Sequence, residues 1–249
     1  MTARAPAVNA AGILLFCLSL LVLVLEVTQV RIFSYSLDPQ TVYMAISVAM
    51  LGIGVSAVTL ACVPRLRSIE PVKVIAASLI LFGASALVSN LLFSNVSDFV
   101  THFLLPQAGL TLVSPTVLVF LICSVPYFFA GIGIAIGILG AGGSVGTNYC
   151  LNMVGSGLGC AIVFPLLSTV GAEAAVCLVA GSAMLLGALY SWRFSHPAAL
   201  AALAGVALCA YLGANRDAFE FAPDAGDFPS LVSAPIIAKH GPSAKPIRT

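Results

Sequence analysis

The sequence predicts an all-α integral membrane protein built as a bundle of about seven transmembrane helices. Two observations support this fold class. Of the 249 residues, 60% are hydrophobic and only 8% are charged, whereas about a quarter of the residues in ordinary globular domains are charged. Apolar runs of roughly 20 residues, the length at which a helix crosses a ~30 Å hydrocarbon layer, also recur between short polar breaks. The lipid bilayer is therefore the first expected partner.

Seven apolar runs account for most of the chain. Only two charged residues, Glu26 and Arg31, fall inside them, as expected when a charge in the bilayer costs a few kcal/mol. The sixth and seventh runs are short, so they are either tilted spans or segments partly buried against their neighbours. The runs cover residues 12–33, 41–63, 74–93, 115–139, 149–170, 174–190 and 197–212.

The membrane domain is predicted to cover residues 12–212, between an N-terminal tail (1–11) and an extended hydrophilic tail (213–249). The second tail contains eight charged residues and five prolines, and it is too short to bury a core of its own. Any order in it is expected to come from docking on the spans or on a partner. The first run is expected to be a retained span, because no A-x-A-like cleavage site follows it.

Several functional classes are excluded by composition and spacing. The net charge of +1 without a basic stripe argues against a nucleic-acid partner. The seven cysteines lie in or beside apolar runs, without C-x-x-C pairs or neighbouring histidines, which favours packing residues over a metal site or a disulfide framework. No Ser/His/Asp arrangement or paired carboxylates can be assembled. The residues therefore predict no enzyme and no metal site, and they indicate no particular cofactor.

A candidate intramembrane polar site is predicted from five residues. Glu26 lies well inside the first run, where carboxylates mark functional sites by default. Gln29 shares its helix face, whereas Arg31 lies about 140° around the helix and is expected to extend to the interface. Asn152 and Ser156 lie one turn apart on the fifth run. The alternatives are structural: Glu26 is satisfied by neighbouring helices or protonated, and the other pair forms hydrogen bonds between helices.

Four glycines are predicted helix-packing positions, namely Gly133 with Gly137 and Gly155 with Gly159. Each pair is spaced four residues apart, so both members lie on one helix face. No hydrophobic force drives helices together in lipid, and small residues at this spacing let two backbones approach closely. A phosphate-binding loop is not indicated, because neither glycine-rich phosphate motif is present.

Several stretches carry a family resemblance. They are Glu26-Val27 with Arg31, then Gly52 and Gly54, then Ser124-Val-Pro-Tyr-Phe-Phe-Ala-Gly131, and Tyr149-x-x-Asn152-x-x-Gly155-Ser156-x-x-Gly159 with Leu166-Leu167-x-x-x-Gly171. Over residues 12–212 the chain resembles the membrane-spanning region of bacterial spermidine-synthase-like proteins, whose spans precede an aminopropyltransferase domain. The resemblance implies tightly packed, transporter-like helices in the bacterial inner (cytoplasmic) membrane. The catalytic domain of that family has no counterpart here, so no catalytic residue is carried over.

Three functions follow as hypotheses. The leading one is a non-catalytic scaffold or accessory subunit that packs against other integral membrane proteins. The first alternative is a transporter or binding module for a small solute, such as a polyamine or another cation, which a cavity lined by Glu26 would favour. The weaker alternative is the membrane subunit of a split spermidine-synthase-like enzyme, which a docking face for a soluble α/β partner would favour.

The distribution of Lys and Arg predicts the orientation. Residues 64–73 are rich in both, whereas residues 94–114 contain neither, and basic loops stay in the cytoplasm. In a variant without the native cysteines, a membrane-impermeant thiol reagent added to intact cells is expected to label Ser97→Cys and to leave Ser68→Cys unlabelled. Labelling of Ser68→Cys from outside would show that the true orientation is the opposite of the predicted one.

Overall fold

The computed structural model describes residues 5–36, 39–94, 115–140 and 144–215. All regular structure in these residues is helical. It consists of a short 3-10 helix, Pro64–Ser68, and of six α-helices: α1 (Ala5–Ser36), α2 (Pro39–Cys62), α3 (Pro71–Ser94), α4 (Pro115–Gly140), α5 (Val145–Ser191) and α6 (His196–Ala214). Helix α1 thus begins inside the predicted N-terminal tail, and nearly all of the predicted C-terminal tail lies outside the described residues.

Five of these helices, α1 and α3 to α6, are long and apolar enough to cross a membrane. Helix α2 adds a shorter apolar stretch, Ile46–Cys62. Many large apolar side chains are exposed on the outside of the bundle, which is the arrangement expected where the surrounding solvent is lipid. The fold is therefore that of an integral membrane protein with several helical spans.

Helix α1 is the central helix of the bundle. It packs chiefly against α5 and also contacts α2, α3 and α4. Leu14, Leu18, Leu25 and Phe33 on this helix are fully buried. These side chains form part of the main apolar core of the bundle.

Glycines bring α1 and the first part of α5 into backbone contact. Gly155 lies against the Phe16 carbonyl group and Gly159 against the Leu20 carbonyl group. A methyl group on these glycines would lie 2.5 Å and 2.6 Å from the two oxygens, so only hydrogen fits there. Because the residue numbers rise together along both helices, α1 and this part of α5 run parallel.

Helix α4 runs antiparallel to both α1 and α3, again through glycine contacts. The contacts are Gly133 with Leu18 and Ser78, Gly137 with Leu15, and Gly140 with Pro71. Residue numbers that rise along α4 fall along its two neighbours. All four glycines singled out in the sequence thus lie where two helices meet.

The second part of α5 runs antiparallel to α3. Gly83 lies against Ala180, and Gly187 lies against Ala76. Because α1 and α3 are both antiparallel to α4, they run in the same direction. The first part of α5 shares that direction and the second part opposes it, so the chain reverses within α5.

The reversal coincides with a break at Gly171, whose φ of 82° and ψ of 168° are not helical. Essentially only glycine adopts this region of backbone space. The sequence predicted separate spans over 149–170 and 174–190, and about seven helices in all. The described residues contain six α-helices, because a single glycine replaces the loop that would otherwise separate these two spans.

Two polar connections meet at one end of the bundle. Lys73 pairs with Glu70 at 3.2 Å, and its ammonium group lies 4.8 Å from the centre of the Phe194 ring. This contact joins the basic connection before α3 to the connection between α5 and α6, which carries Arg193. The basic residues of these connections therefore lie on the same side of the apolar helices.

Replacing Gly171 tests the break directly. A Cβ atom at this position would meet no atom within 4 Å, so Gly171→Ala is expected to destabilise the fold by conformation alone, by about 1 to 3 kcal/mol. Thermal unfolding in detergent measures the loss. Gly181→Ala is the control, since this glycine is helical and a Cβ there would make an ordinary 3.4 Å contact. An unchanged stability of Gly171→Ala would contradict the strained geometry.

Candidate functional site

A buried hydrogen bond joins α1 to α4. The Tyr127 hydroxyl group donates to Gln29 Oε1 at 2.6 Å, and the two side chains are only 1% and 2% exposed. Pro126, which has no backbone N–H group, directly precedes the tyrosine inside α4. Hydrogen bonds between transmembrane helices are worth about 0.6 kcal/mol on average and up to about 1.7 kcal/mol, so this bond helps to fix the register of the two helices.

The amide nitrogen of Gln29 has no hydrogen-bond partner. In the described part of the chain, every other buried side-chain nitrogen or oxygen atom has one. A buried donor left unpaired costs about 1 to 3 kcal/mol. Such groups in folded proteins accompany bound water, a ligand or a functional role. Among the described residues, Gln29 is therefore the buried side chain inside the bundle that most favours a bound water molecule or ligand.

Glu26 lies one turn before Gln29 on α1 and is partly buried. Its carboxyl group is close enough to the Tyr127 hydroxyl group to interact with it electrostatically. The three residues form a polar cluster between α1 and α4, here called the α1–α4 polar cluster. A carboxyl group one helical turn from a hydrogen-bonded amide and phenol can help to hold a proton, a water molecule or a small cation.

Three phenylalanines lie between this cluster and the nearer end of the bundle. Phe33 follows Gln29 by one turn of α1, and its ring centre is 5.0 Å from that of Phe93 and 5.9 Å from that of Phe120. All three rings are buried, and tilted or edge-to-face pairs at these distances are favourable. The aromatic rings therefore cover the polar cluster on that side.

A second polar contact lies nearer the other end of α1. Ser19 Oγ is 2.6 Å from Asn152 Oδ1 and 2.8 Å from the Leu15 carbonyl oxygen. Ser19 and Asn152 are both buried, whereas Ser156 is partly buried. This contact lies beside Gly155 in the close packing of α1 on α5, so it links the two helices where their backbones meet.

Arg31 lies at a cavity of about 500 Å³ between α1 and α5. The other polar side chains that line this cavity are Ser34 and Ser168, and Gly171 at the helix break also lines it. Two further cavities lie between α5 and α6 and along α2, with volumes of about 380 Å³ and 510 Å³. Glu26 lines none of these three cavities.

The five polar residues predicted from the sequence occupy three places and do not form one site. Glu26 and Gln29 belong to the α1–α4 polar cluster. Asn152 and Ser156 lie on α5 where it packs against α1 near Ser19. The helical rise from Ser19 to Gln29 along α1 is about 15 Å. Arg31 faces the cavity between α1 and α5. The 3.6-residue period predicted that Arg31 and Glu26 lie on different faces of α1. In the structure, Arg31 lines the cavity between α1 and α5 and Glu26 does not.

Two residues of these sites were missed at the level of sequence. Tyr127 carried a signal, because a tyrosine inside an apolar span usually finds a partner for its hydroxyl group. Ser19 carried none, since a serine in a helix commonly bonds the carbonyl group four residues earlier, as it also does here with Leu15.

No metal site is evident in the described part of the chain, where no three His, Cys, Asp or Glu side chains are grouped to hold an ion. Comparisons with protein-family models, with curated proteins and with solved structures find no match to this chain. The resemblance to spermidine-synthase-like membrane regions therefore stays a prediction, carried by the residues named above. The fold defines the class of the protein, which is a multi-span helical membrane protein.

The Gln29 and Tyr127 pair can be tested by a double-mutant cycle. Tyr127→Phe leaves the whole Gln29 amide unpaired and is expected to lower the free energy of unfolding by about 1 kcal/mol. The double variant with Gln29→Leu is expected to be more stable than Tyr127→Phe alone, because no buried polar group then lacks a partner. Thermal unfolding in detergent measures Tyr127→Phe, Gln29→Leu and the double variant. Strictly additive losses would show that the two side chains do not interact.

Proposed function

We propose that this chain is a non-catalytic scaffold or accessory subunit that packs against other integral membrane proteins in the bacterial inner membrane. One observation carries the proposal: two glycines in helix interiors face outward, with no atom of the described residues packed on them. In the described part of the chain, no atom lies within 4 Å of the position of a Cβ on Gly54 of α2 or on Gly157 of α5. The partner expected on each face is an apolar transmembrane helix.

Other glycines in this bundle lie in close contacts between helices. Glycine in a helix interior is about 1 kcal/mol less favourable than alanine, and close helix contact compensates for that loss. Gly155 and Gly159 lie against backbone carbonyl groups of α1, whereas Gly157 between them points away. A glycine on the outer face gains the same compensation only if a helix of another protein approaches it.

The surroundings of both outward glycines suit such a contact. Gly54 lies in a shallow apolar groove of about 510 Å³ along α2 that Met50, Leu51 and Val58 help to form. Gly157 lies between the exposed side chains of Val154 and Leu158. Apolar side chains flanking a small residue give a groove in which a second helix can pack.

The transporter alternative has one observation in its favour, the unpartnered amide nitrogen of Gln29 beside Glu26. Against it, Glu26 lines none of the three cavities described above. No feature of the described residues favours the split-enzyme alternative over the other two. The absence of catalytic activity is part of the proposal, as is the bacterial inner membrane as its location.

A topology of seven crossings accompanies this proposal. The directions deduced from the glycine contacts support it, since α1, α3 and the first part of α5 run one way while α4 and the second part of α5 run the other. A straight helix of 47 residues would be about 70 Å long, more than twice the hydrocarbon thickness. A reversal at Gly171 divides it into two lengths that each fit the bilayer.

Two glycines two residues apart provide a matched test. Gly157→Leu is expected to leave the thermal stability of the isolated protein unchanged and to release membrane proteins that co-purify with the wild type in mild detergent. Gly155→Leu is expected to lower the stability by a few kcal/mol, because it forces α1 and α5 apart. Ala201→Leu, on an exposed face of α6, is the control for added bulk.

Mass spectrometry of the purified complexes gives the composition of each sample. The proposal is wrong if the wild type purifies without other membrane proteins, or if Gly157→Leu and Gly54→Leu both retain the same partners in the same amounts.

A further inference from the structure

We propose that the cavity between α1 and α5 binds one phospholipid with a negatively charged headgroup, whose phosphate group lies at Arg31. This inference goes beyond the scaffold role and does not depend on it. The cavity of about 500 Å³ is lined by Arg31 and Ser34 from α1 and by Ser168 from α5. These three residues are exposed, so the cavity opens on the surface of the bundle, where a lipid can enter from the bilayer.

The lining is polar at one end and apolar at the other. Helices α1 and the first part of α5 run parallel, so residue numbers on both helices rise toward the same end of the bundle. Val27 and Phe164 come first along the two helices, whereas Arg31 and Ser168 come one turn later. An acyl chain along the apolar walls would therefore place its headgroup at the arginine.

The charge at the polar end favours a phosphate group. Arg31 is one of two charged residues within the apolar runs and the only cation among them. A guanidinium group presents five N–H donors in a plane that matches phosphate oxygens, so it can bind a phosphate alongside another acceptor.

The two hydroxyl groups add acceptor and donor capacity. Ser34 Oγ donates to the Arg31 carbonyl oxygen at 2.7 Å, and Ser168 Oγ donates to the Pro165 carbonyl oxygen at 2.9 Å. A serine hydroxyl group rotates freely about its C–O bond and can donate to a phosphate oxygen instead.

The apolar walls distinguish a lipid from a free anion. Inorganic phosphate needs only the polar end, whereas the cavity continues past Val30 and Leu167 to Val27 and Phe164. An acyl chain can fill this apolar part and make dispersion contacts with its walls, whereas inorganic phosphate cannot. The occupant is therefore a phospholipid and not a soluble anion.

Native mass spectrometry of the full chain, purified in detergent and stripped of lipid, tests the proposal. Phosphatidylglycerol, phosphatidylcholine and inorganic phosphate are the three probes. One phosphatidylglycerol is expected to bind more tightly than phosphatidylcholine, and inorganic phosphate at equal concentration is expected not to displace it. Arg31→Gln is expected to weaken phosphatidylglycerol binding by about tenfold or more, as for the loss of a charge-assisted hydrogen bond.

Two further variants keep the test decisive. Arg65→Gln makes the same charge change on the 3-10 helix, outside the cavity, and is expected to bind phosphatidylglycerol as the wild type does. Val30→Phe fills the cavity while keeping the arginine, and is expected to lose the lipid even if Arg31→Gln does not fold. The proposal is overturned by wild-type binding in Val30→Phe, by equal losses in Arg31→Gln and Arg65→Gln, or by displacement with inorganic phosphate.

Discussion

The backbone contact between α1 and α5 is the constraint on which the rest of the bundle depends. Gly155 and Gly159 let the second helix lie directly on the carbonyl groups of the first. In lipid, helices associate through dispersion and hydrogen bonds at such close range, since apolar surface gains nothing by leaving the hydrocarbon. On another side, α1 contacts α4 through Gly133 and Gly137.

The polar groups of α1 are distributed along its length instead of converging. Ser19 contacts α5, Gln29 contacts α4, and Arg31 lies at a surface cavity. Ser19 and Gln29 each contact a side chain of a neighbouring helix, because an unpaired polar group in an apolar interior is costly. The amide nitrogen of Gln29 departs from this rule, so the α1–α4 polar cluster is where a small ligand or a water molecule would be stabilised most.

Gly171 has two consequences for the architecture. Its backbone conformation reverses α5, which lets the second part of the helix pack against α3 and α6. The same break lies at the edge of the cavity that contains Arg31. Irregular backbone at membrane depth is tolerated where it is buried in protein or lines a cavity. A phospholipid in that cavity would cover the break and complete the contact between α1 and α5.

The sequence by itself determined the fold class, because a chain this apolar must satisfy its backbone hydrogen bonds within helices, and it placed the breaks between most spans. It also identified Glu26, Gln29 and the packing glycines. Only the tertiary structure decided that Gly155 faces α1 while Gly157 faces outward, and that Gln29 meets Tyr127 across 98 residues of chain. Helical periodicity specifies which residues share a face, whereas the helix that meets that face depends on the shapes of both surfaces.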